Sequence, residues 1–449
     1  MWKKKILLGV CEEIYKMKIS RTLSFANKLR GEITVPGDKS LSHRALMFNS
    51  LAKGKAHIKG LLHSDDTNST IDCLKKFGVD IQNDSDGSIL IFGKGMHSLN
   101  EPNDVLDCGN SGTTMRLLSG ICAGINGISI LTGDDSLRSR PMDRIVDPLT
   151  FLGAQIFARN NNSLPPVMIK GGKIIGGQRI TPSAASAQVK SAILLAGLYA
   201  DEEITVVESK TTRDHTEKLL GAMGAKFSIH GNEITLSPPQ NELSAIDVTV
   251  PGDISTAAVW IVAASIHPDA ELTLRNVGIN QTRSGLIDIL RLMGGDIKLE
   301  NNRYIGGEPV ADLIVRSASL TGVNVSGELI PRAIDELPLV ALAGAVAEGE
   351  TVIQDAQELR VKESDRISTT FKILSDFGVK IEELDDGLHV YGGNPINGAI
   401  MNSSGDHRLA MLGAAAGLIA DGETTVEDAD SVTVSYPTFW EDMEKICQL

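Results

Sequence analysis

The chain has 449 residues, 42% of them hydrophobic and 22% charged, with a formal net charge of −14. That length exceeds what one hydrophobic core commonly serves, so two or three domains are expected. Aromatics at 4% and the acidic balance exclude a base-stacking nucleic-acid surface, and no apolar run approaches the ~18 residues of a membrane span.

In chain order, the opening MWKKKILLGVCEE has the basic start of a signal peptide. Its apolar stretch is only about five residues, short of the roughly 7–15 such a region needs, and Glu12 and Glu13 end it. Residues 1–25 therefore read as an extension before the first domain. Five scattered cysteines (Cys11, Cys73, Cys108, Cys122 and Cys447) form no CxxC and no metal-ligand spacing, so free thiols in a cytoplasmic protein are expected. The heptapeptide TVPGDKS at 34–40 returns as TVPGDIS at 249–255. In both, Pro-Gly makes a turn between an extended segment and a new helix. These turns mark crossovers near 36–40 and 250–255. One domain then runs over 38–253, and the second is assembled from 26–37 together with 254–449.

Between and after the crossovers two series of elements interleave. LKKFGVDI (74–81), LTFLGAQI (149–156), LGAMGAKF (220–227), LRLMGGDI (290–297) and LSDFGVKI (374–381) each predict an amphipathic helix stopped by a glycine and followed by a strand. FWEDMEKI near the end predicts a sixth such helix, which reaches the C-terminus before its strand. The second series is rich in Ala and Leu, with helices starting near 40, 111, 186, 255, 335 and 406; being apolar on most faces, they are expected to be buried. The chain thus reads as a mixed α/β (α+β) protein of six repeats of roughly 70–80 residues, three per domain. The glycine-rich GGKIIGG at 171–177 is expected to be a hairpin turn.

The chemistry concentrates at helix starts, where unpaired N–H groups and positive dipole ends collect. Acids are usual there, yet this chain places Lys39, Arg44, Arg116, Arg138, Arg140, Arg213, Arg283, Lys362, Arg366 and Arg408 at or near such starts. Cations in that position oppose the dipole unless an anion lies between, so an interdomain cleft for phosphates and carboxylates is expected. GNSGTT (109–114) opens an apolar helix with small hydroxyl residues that let a ligand approach the backbone. Asp335 and Glu363 are the acids placed to move protons in such a cleft. His43 and His407 lie within the cationic clusters, whereas His57, His97 and His230 read as ordinary residues. No P-loop, no GxGxxG after a strand and no HExxH occurs.

PGDKSLSHR (36–44), GNSGTTMR (109–116), RPM (140–142), SAQVKSA (186–192), RVKESDR (360–366) and GDHRLAM (405–411) together resemble the signatures of the 5-enolpyruvylshikimate-3-phosphate (EPSP) synthase family, in order and over nearly the whole chain from about residue 28. The resemblance implies a two-domain fold of six βαβαββ units that closes on its substrates. It also implies transfer of the enolpyruvyl group of phosphoenolpyruvate to the 5-hydroxyl of shikimate 3-phosphate through a tetrahedral intermediate, in the pathway to chorismate and the aromatic amino acids. By position, Lys39, Ser40, Arg44, Ser186, Ala187, Gln188, Arg213, Asp335 and Lys362 would hold shikimate 3-phosphate. Lys39, Gly112, Arg140, Gln188, Arg366 and Arg408 would hold phosphoenolpyruvate, with Lys362 nearby. Asp335 would take the hydroxyl proton, Glu363 would handle the methylene proton, and Lys39 would serve in catalysis. No metal or organic cofactor, no nucleic acid and no membrane is implied, and a cytoplasmic monomer is expected.

RDHTE (213–217), SAQVK (186–190) and NQTR (280–283) resemble the class II subgroup. Val434 replaces a lysine of the enterobacterial type, and Glu358 stands where that type has asparagine. Two alternatives share the scaffold. A UDP-N-acetylglucosamine enolpyruvyl transferase would usually carry Lys-Asn in place of Lys39-Ser40. Its mobile loop would hold a cysteine or aspartate where GDDSLRSRP (133–141) has Asp134 and Asp135 but no cysteine. The other is a non-catalytic phosphometabolite binder, against which Asp335 and Glu363 argue.

Overall fold

The computed structural model describes residues 19–393 and 395–448; Cys11 and most of the expected N-terminal extension lie outside them. Among the described residues the strands form six sheets, matching the six repeats. The second repeat shows the plan. Strand Leu106–Asp107 runs parallel to Gly127–Thr132, which pairs antiparallel with Leu164–Gly171, and Gln155–Ala158 closes the edge. The buried helix Gly112–Gly124 links the first two strands and the amphipathic helix Asp143–Phe151 the next two, giving strand, helix, strand, helix and hairpin. The five glycines expected to stop the amphipathic helices all take positive φ, from 82° to 106°, which side-chain-bearing residues rarely adopt.

The first and fourth repeats exchange their leading strands. Lys28–Thr34 precedes the helix Lys39–Leu51 in sequence but pairs in parallel with Ala270–Gly278. Val248–Thr249 precedes the helix Ile254–Ile266 but pairs in parallel with Lys53–Lys59. Two apolar cores result. One spans Leu41 to Val250; the other joins Ala26–Val35 to Ile254–Ile446 around the fully buried helix Ile254–Ile266.

The two heptapeptides meet where the chain crosses. The Asp38 N–H donates to the Pro251 carbonyl at 2.8 Å and the Asp253 N–H to the Pro36 carbonyl at 2.9 Å. Gly37 admits no side chain, because a Cβ there would lie 1.9 Å from the Gly60 carbonyl oxygen. The Asp38 carboxylate caps its helix at the Leu41 N–H and the Asp253 carboxylate caps its own at the Ser255 N–H, both at 2.8 Å. Between these two buried acids lies the buried Arg283, which donates to Asp38 at 2.8 Å, to Asp253 at 3.0 Å and to the Ser255 hydroxyl at 2.7 Å. Burial opposes the charge of Arg283, but Asp38 and Asp253 overcome it and raise its pKa.

Three expectations differ in detail. The helix Phe439–Ile446 is followed by a short strand, Cys447–Gln448, which pairs antiparallel with Lys28–Leu29. Arg21–Leu23 is a strand too, paired with Thr424–Val426. Residues 171–177 form no hairpin. The buried Ile174 bridges to Ala200, and this carries the chain from the second sheet to Gln178–Ile180 of the third. Cys73, Cys108, Cys122 and Cys447 are free thiols, and among the described residues no helix is long and apolar enough to cross a membrane.

Arg283→Met removes the cation and leaves two buried carboxylates facing one another. The expected loss is about 3–5 kcal/mol of unfolding free energy, read from urea denaturation; a loss below about 1 kcal/mol would show that the crossing does not depend on the arginine.

Candidate active site

Helix starts from both halves converge on a cavity of about 420 Å3. Eleven Lys and Arg side chains line it against six carboxylates, an excess of positive charge on a chain of net charge −14.

The first wall belongs to the half of the chain whose core spans Leu41 to Val250. Capping by Asp38 sets the helix Lys39–Leu51 so that Lys39, Ser40 and Arg44 line the cavity. Lys39 Nζ lies 3.1 Å from Asp66, whose carboxylate is held below its usual range by that ammonium in spite of burial. Arg44 is anchored, donating to Thr216 and Ser191 hydroxyls at 2.8 Å and to the Ser40 carbonyl at 3.1 Å; burial lowers its pKa to about 10. Gly112 begins its helix with Arg140 and Arg116 so close that a Cβ would lie 3.4 and 3.7 Å from their guanidinium nitrogens. Arg116 donates to Gln188 Oε1 at 2.5 Å, and Gln188 Nε2 donates to Thr113 at 2.9 Å. Ser186 and Ala187 begin the helix Ala187–Gly197, where the Ser186 side chain makes no capping bond and faces the cavity. Arg213 completes this wall.

The second wall centres on Asp335. Its carboxylate receives Arg213 from across the cavity at 2.6 Å, Arg366 at 3.1 Å and Lys362 at 3.3 Å, with Arg408 at 3.9 Å. It caps no helix: the helix that follows starts at Leu337 with Glu336 at its cap position. Burial opposes the charge on Asp335, yet Lys362, Arg408, Arg213 and Arg366 hold its pKa well below the carboxylate range. Glu363 lies 2.6 Å from Arg366 and 3.7 Å from Arg140 of the first wall, and it too is held ionised against burial, chiefly by those two arginines. Arg366 is fully buried and also bonds Asp406, the cap of the helix His407–Gly417, at 2.8 Å.

Every residue expected to bind or react therefore lines this one cavity: Lys39, Ser40, Arg44, Gly112, Arg140, Ser186, Ala187, Gln188 and Arg213 on the first wall, Asp335, Lys362, Glu363, Arg366 and Arg408 on the second. Arg138 does not reach it and pairs with Asp135. Arg283 touches it, but its guanidinium is committed to the crossing. Of the two flagged histidines, His407 lines the cavity and is kept neutral by burial beside Lys39 and Arg408. His43 is buried outside the lining, bonds Thr70 at 2.7 Å, and has its pKa lowered to about 3 by burial.

The sequence reading missed several participants. Asp66 sits in the ordinary first turn of the helix Asp65–Lys76 and gave no sign of pairing with Lys39. Asp406 was legible only as a letter of GDHRLAM. Glu336, beside Asp335, is buried with neither carboxylate oxygen hydrogen-bonded, and burial raises its pKa even though Arg408 lies 3.9 Å away.

The model of the EPSP synthase (3-phosphoshikimate 1-carboxyvinyltransferase) family matches residues 24–443. The chain is 50% identical over 430 residues to the 3-phosphoshikimate 1-carboxyvinyltransferase of Herpetosiphon aurantiacus, covering 95% of this chain and 99% of that one. It is 48% identical over 429 residues to the protein of the same name from Thermodesulfovibrio yellowstonii, covering 95% and 100%. A solved structure of EPSP synthase from Acinetobacter baumannii matches with a TM-score of 0.85 at 42% identity, over 96% of this chain and 98% of that one.

The neighbouring acids Asp335 and Glu336 shift in opposite directions, so their titrations separate. As pH falls from 7, Glu336 gains its proton before Asp335 does, a sequence readable in carboxyl 13C shifts assigned with Asp335→Asn and Glu336→Gln variants. The linkage signs differ as well. The raised Glu336 value makes its contribution to stability grow as pH falls through it. The Asp335 and Glu363 contributions are present above the unfolded value of about 4 and are lost only as pH falls through their lower folded values. Asp335 protonating first would contradict the charge arrangement.

Proposed function

The chain belongs to the EPSP synthase family, and from that premise we propose how its residues divide the work of the reaction. The enzyme transfers the enolpyruvyl group of phosphoenolpyruvate to the 5-hydroxyl of shikimate 3-phosphate and releases phosphate. The observation that carries the assignment of residues is a cationic cavity holding two ionised carboxylates, Asp335 and Glu363, each in contact with cations of both walls.

Shikimate 3-phosphate is held by Lys39, Ser40 and Arg44, with Ser186, Ala187, Gln188 and Arg213 on its phosphate side and Asp335 and Lys362 opposite. Phosphoenolpyruvate is held by Lys39, Gly112, Arg140, Gln188, Arg366 and Arg408. Arg408 suits this role because its polar neighbours are all distant: the Ser255 carbonyl at 3.5 Å, Asp335 and Glu336 at 3.9 Å. Asp335, ionised, takes the proton of the 5-hydroxyl as that oxygen attacks the enol carbon. Glu363 must be protonated to deliver a proton to the methylene carbon. The anionic groups of phosphoenolpyruvate supply the means, because they compete for Arg140 and Arg366 and so relax the pull that keeps Glu363 ionised. Addition yields a tetrahedral intermediate. Glu363 then removes a proton from the new methyl group as the C–O bond to phosphate breaks; the phosphate, stabilised by the surrounding cations, leaves with the proton that Asp335 had taken, which returns Asp335 to its ionised form. Contact between the walls keeps water from the intermediate.

The two domains are placed at 38–253 and at 26–37 with 254–449, which the two separate cores support. A single chain supplies both cavity walls, which supports action as a monomer, and the free thiols support a cytoplasmic setting.

Asp335→Asn tests the proton acceptor. Turnover is expected to fall about 10²–10⁴-fold while calorimetry still detects shikimate 3-phosphate binding; near-normal turnover would remove Asp335 from that role. Lys39→Ala is expected to weaken both substrates and turnover together, and unchanged kinetics would remove Lys39 from the site.

A further inference from the structure

Two short rows of charge face each other across the cavity. Arg140, three residues before the helix Asp143–Phe151, and Arg144, in its first turn, stand on the first wall. Glu358 in the single turn Gln357–Val361, and Glu363 just beyond it, stand on the second. Arg140 lies 3.7 Å from Glu363, and Arg144 donates to Glu358 at 2.9 Å. The first pair belongs to the reaction site. The second has no part in it so far, although both residues line the cavity and the Arg144 side chain is only 14% exposed.

Their partners make the second pair unusual. Arg140 is held on its own wall by Asn110 and Ser136, and Glu363 on its own wall by Arg366. Among the described residues, Arg144 and Glu358 are each other's only ion-pair partners. The pair therefore exists only when the walls meet, and its energy goes entirely into holding them together. Arg144 also adds to a crowded group of cations. Burial and then the Arg144 and Arg140 charges lower the Arg116 pKa to about 10, and the acids opposing that trend are Glu358 and Glu363, both from the other wall. An unpaired Arg144 would repel the very cations that bind substrate.

We propose that Arg144 and Glu358 are a positioning pair for this enzyme: they dock the segment 357–366 against the first wall and thereby place Glu363 and Lys362 at the reaction centre, without touching either substrate. The proposal rests on the reaction assigned above and adds two residues to it. Glu363 is five residues from Glu358, so the register in which Glu358 meets Arg144 sets where the proton-handling carboxyl sits.

The test is a charge swap. Arg144→Gln, Glu358→Gln and the double variant Arg144→Glu with Glu358→Arg are assayed for phosphate release from phosphoenolpyruvate with shikimate 3-phosphate, at low and high salt. Each single variant is expected to lower kcat/KM about tenfold, as loss of a close interfacial charge pair does, and the swap to recover most of that loss. High salt narrows the gap between wild type and the single variants. Melting temperatures stay within about 2 °C of wild type, since a single charge pair across the cleft is a small part of the unfolding free energy of so long a chain. Single variants with wild-type kinetics, or a swap no better than the product of the two single losses, would overturn the pair. An inactive wild type would overturn the reaction itself and the pair with it; an active wild type with unaffected variants overturns the pair alone.

Discussion

The guanidinium of Arg283 fixes the geometry on which both walls of the cavity depend. The chain crosses between its two cores twice, and each crossing ends in an aspartate that caps the next helix. The crossings are side by side, so two buried carboxylates come close together, an arrangement that repels unless a cation lies between. Arg283 satisfies both. Asp38 orients the helix that presents Lys39, Ser40 and Arg44. Asp253 also accepts the Lys39 backbone N–H at 3.1 Å, and its helix offers the Ser255 carbonyl to Arg408 at 3.5 Å. One side chain thus relates cations on opposite walls, and it does so without giving up its own charge to the ligand.

Above that fixed floor the cavity holds more positive charge than its own acids balance. Desolvated cations crowded together are unfavourable, and the protein meets this with carboxylates that reach across the cleft: Asp335 to Arg213, Glu363 to Arg140, Glu358 to Arg144. Two of these acids are also the groups assigned to proton transfer. On the proposed division of work, the cations that hold Asp335 ionised leave it ready to accept a proton, and those that hold Glu363 ionised keep it from carrying one until an anionic substrate competes for them. In that proposal, substrate charge and catalytic protonation state are linked through shared arginines. Glu336 shows what happens one residue away. With no hydrogen bond to either oxygen, burial dominates and the group favours its proton.

Much of this was legible in the letters, for a physical reason. Helix stops need a residue that tolerates positive φ, so Gly78, Gly153, Gly224, Gly294 and Gly378 betray the repeat. Cations at helix starts violate a local rule, so Lys39, Arg366 and Arg408 betray the site. What stayed hidden lies in long-range pairing, which leaves no local spacing. Arg283 looked like one more cleft cation because nothing near it in sequence reveals Asp38, 245 positions away. Arg144 and Glu358 are 214 positions apart, and although Glu358 stands out as a departure from the enterobacterial type, neither residue points to the other. Glu336 gave no signal of its own, because burial without a hydrogen-bond partner leaves no mark in the neighbouring letters. The turn at 171–177 was misread because two glycine pairs suggested a hairpin, whereas burial of Ile174 sends the chain to the next sheet.

The central claim is that this cationic cavity joins the enolpyruvyl group to a phosphorylated sugar-like acid and not merely to any bound anion. It is tested most directly by measuring phosphate release from phosphoenolpyruvate by the purified protein with shikimate 3-phosphate, with UDP-N-acetylglucosamine, and with no acceptor. Release with shikimate 3-phosphate alone is the expected result. Release only with the nucleotide sugar, or no release with any acceptor, would contradict it.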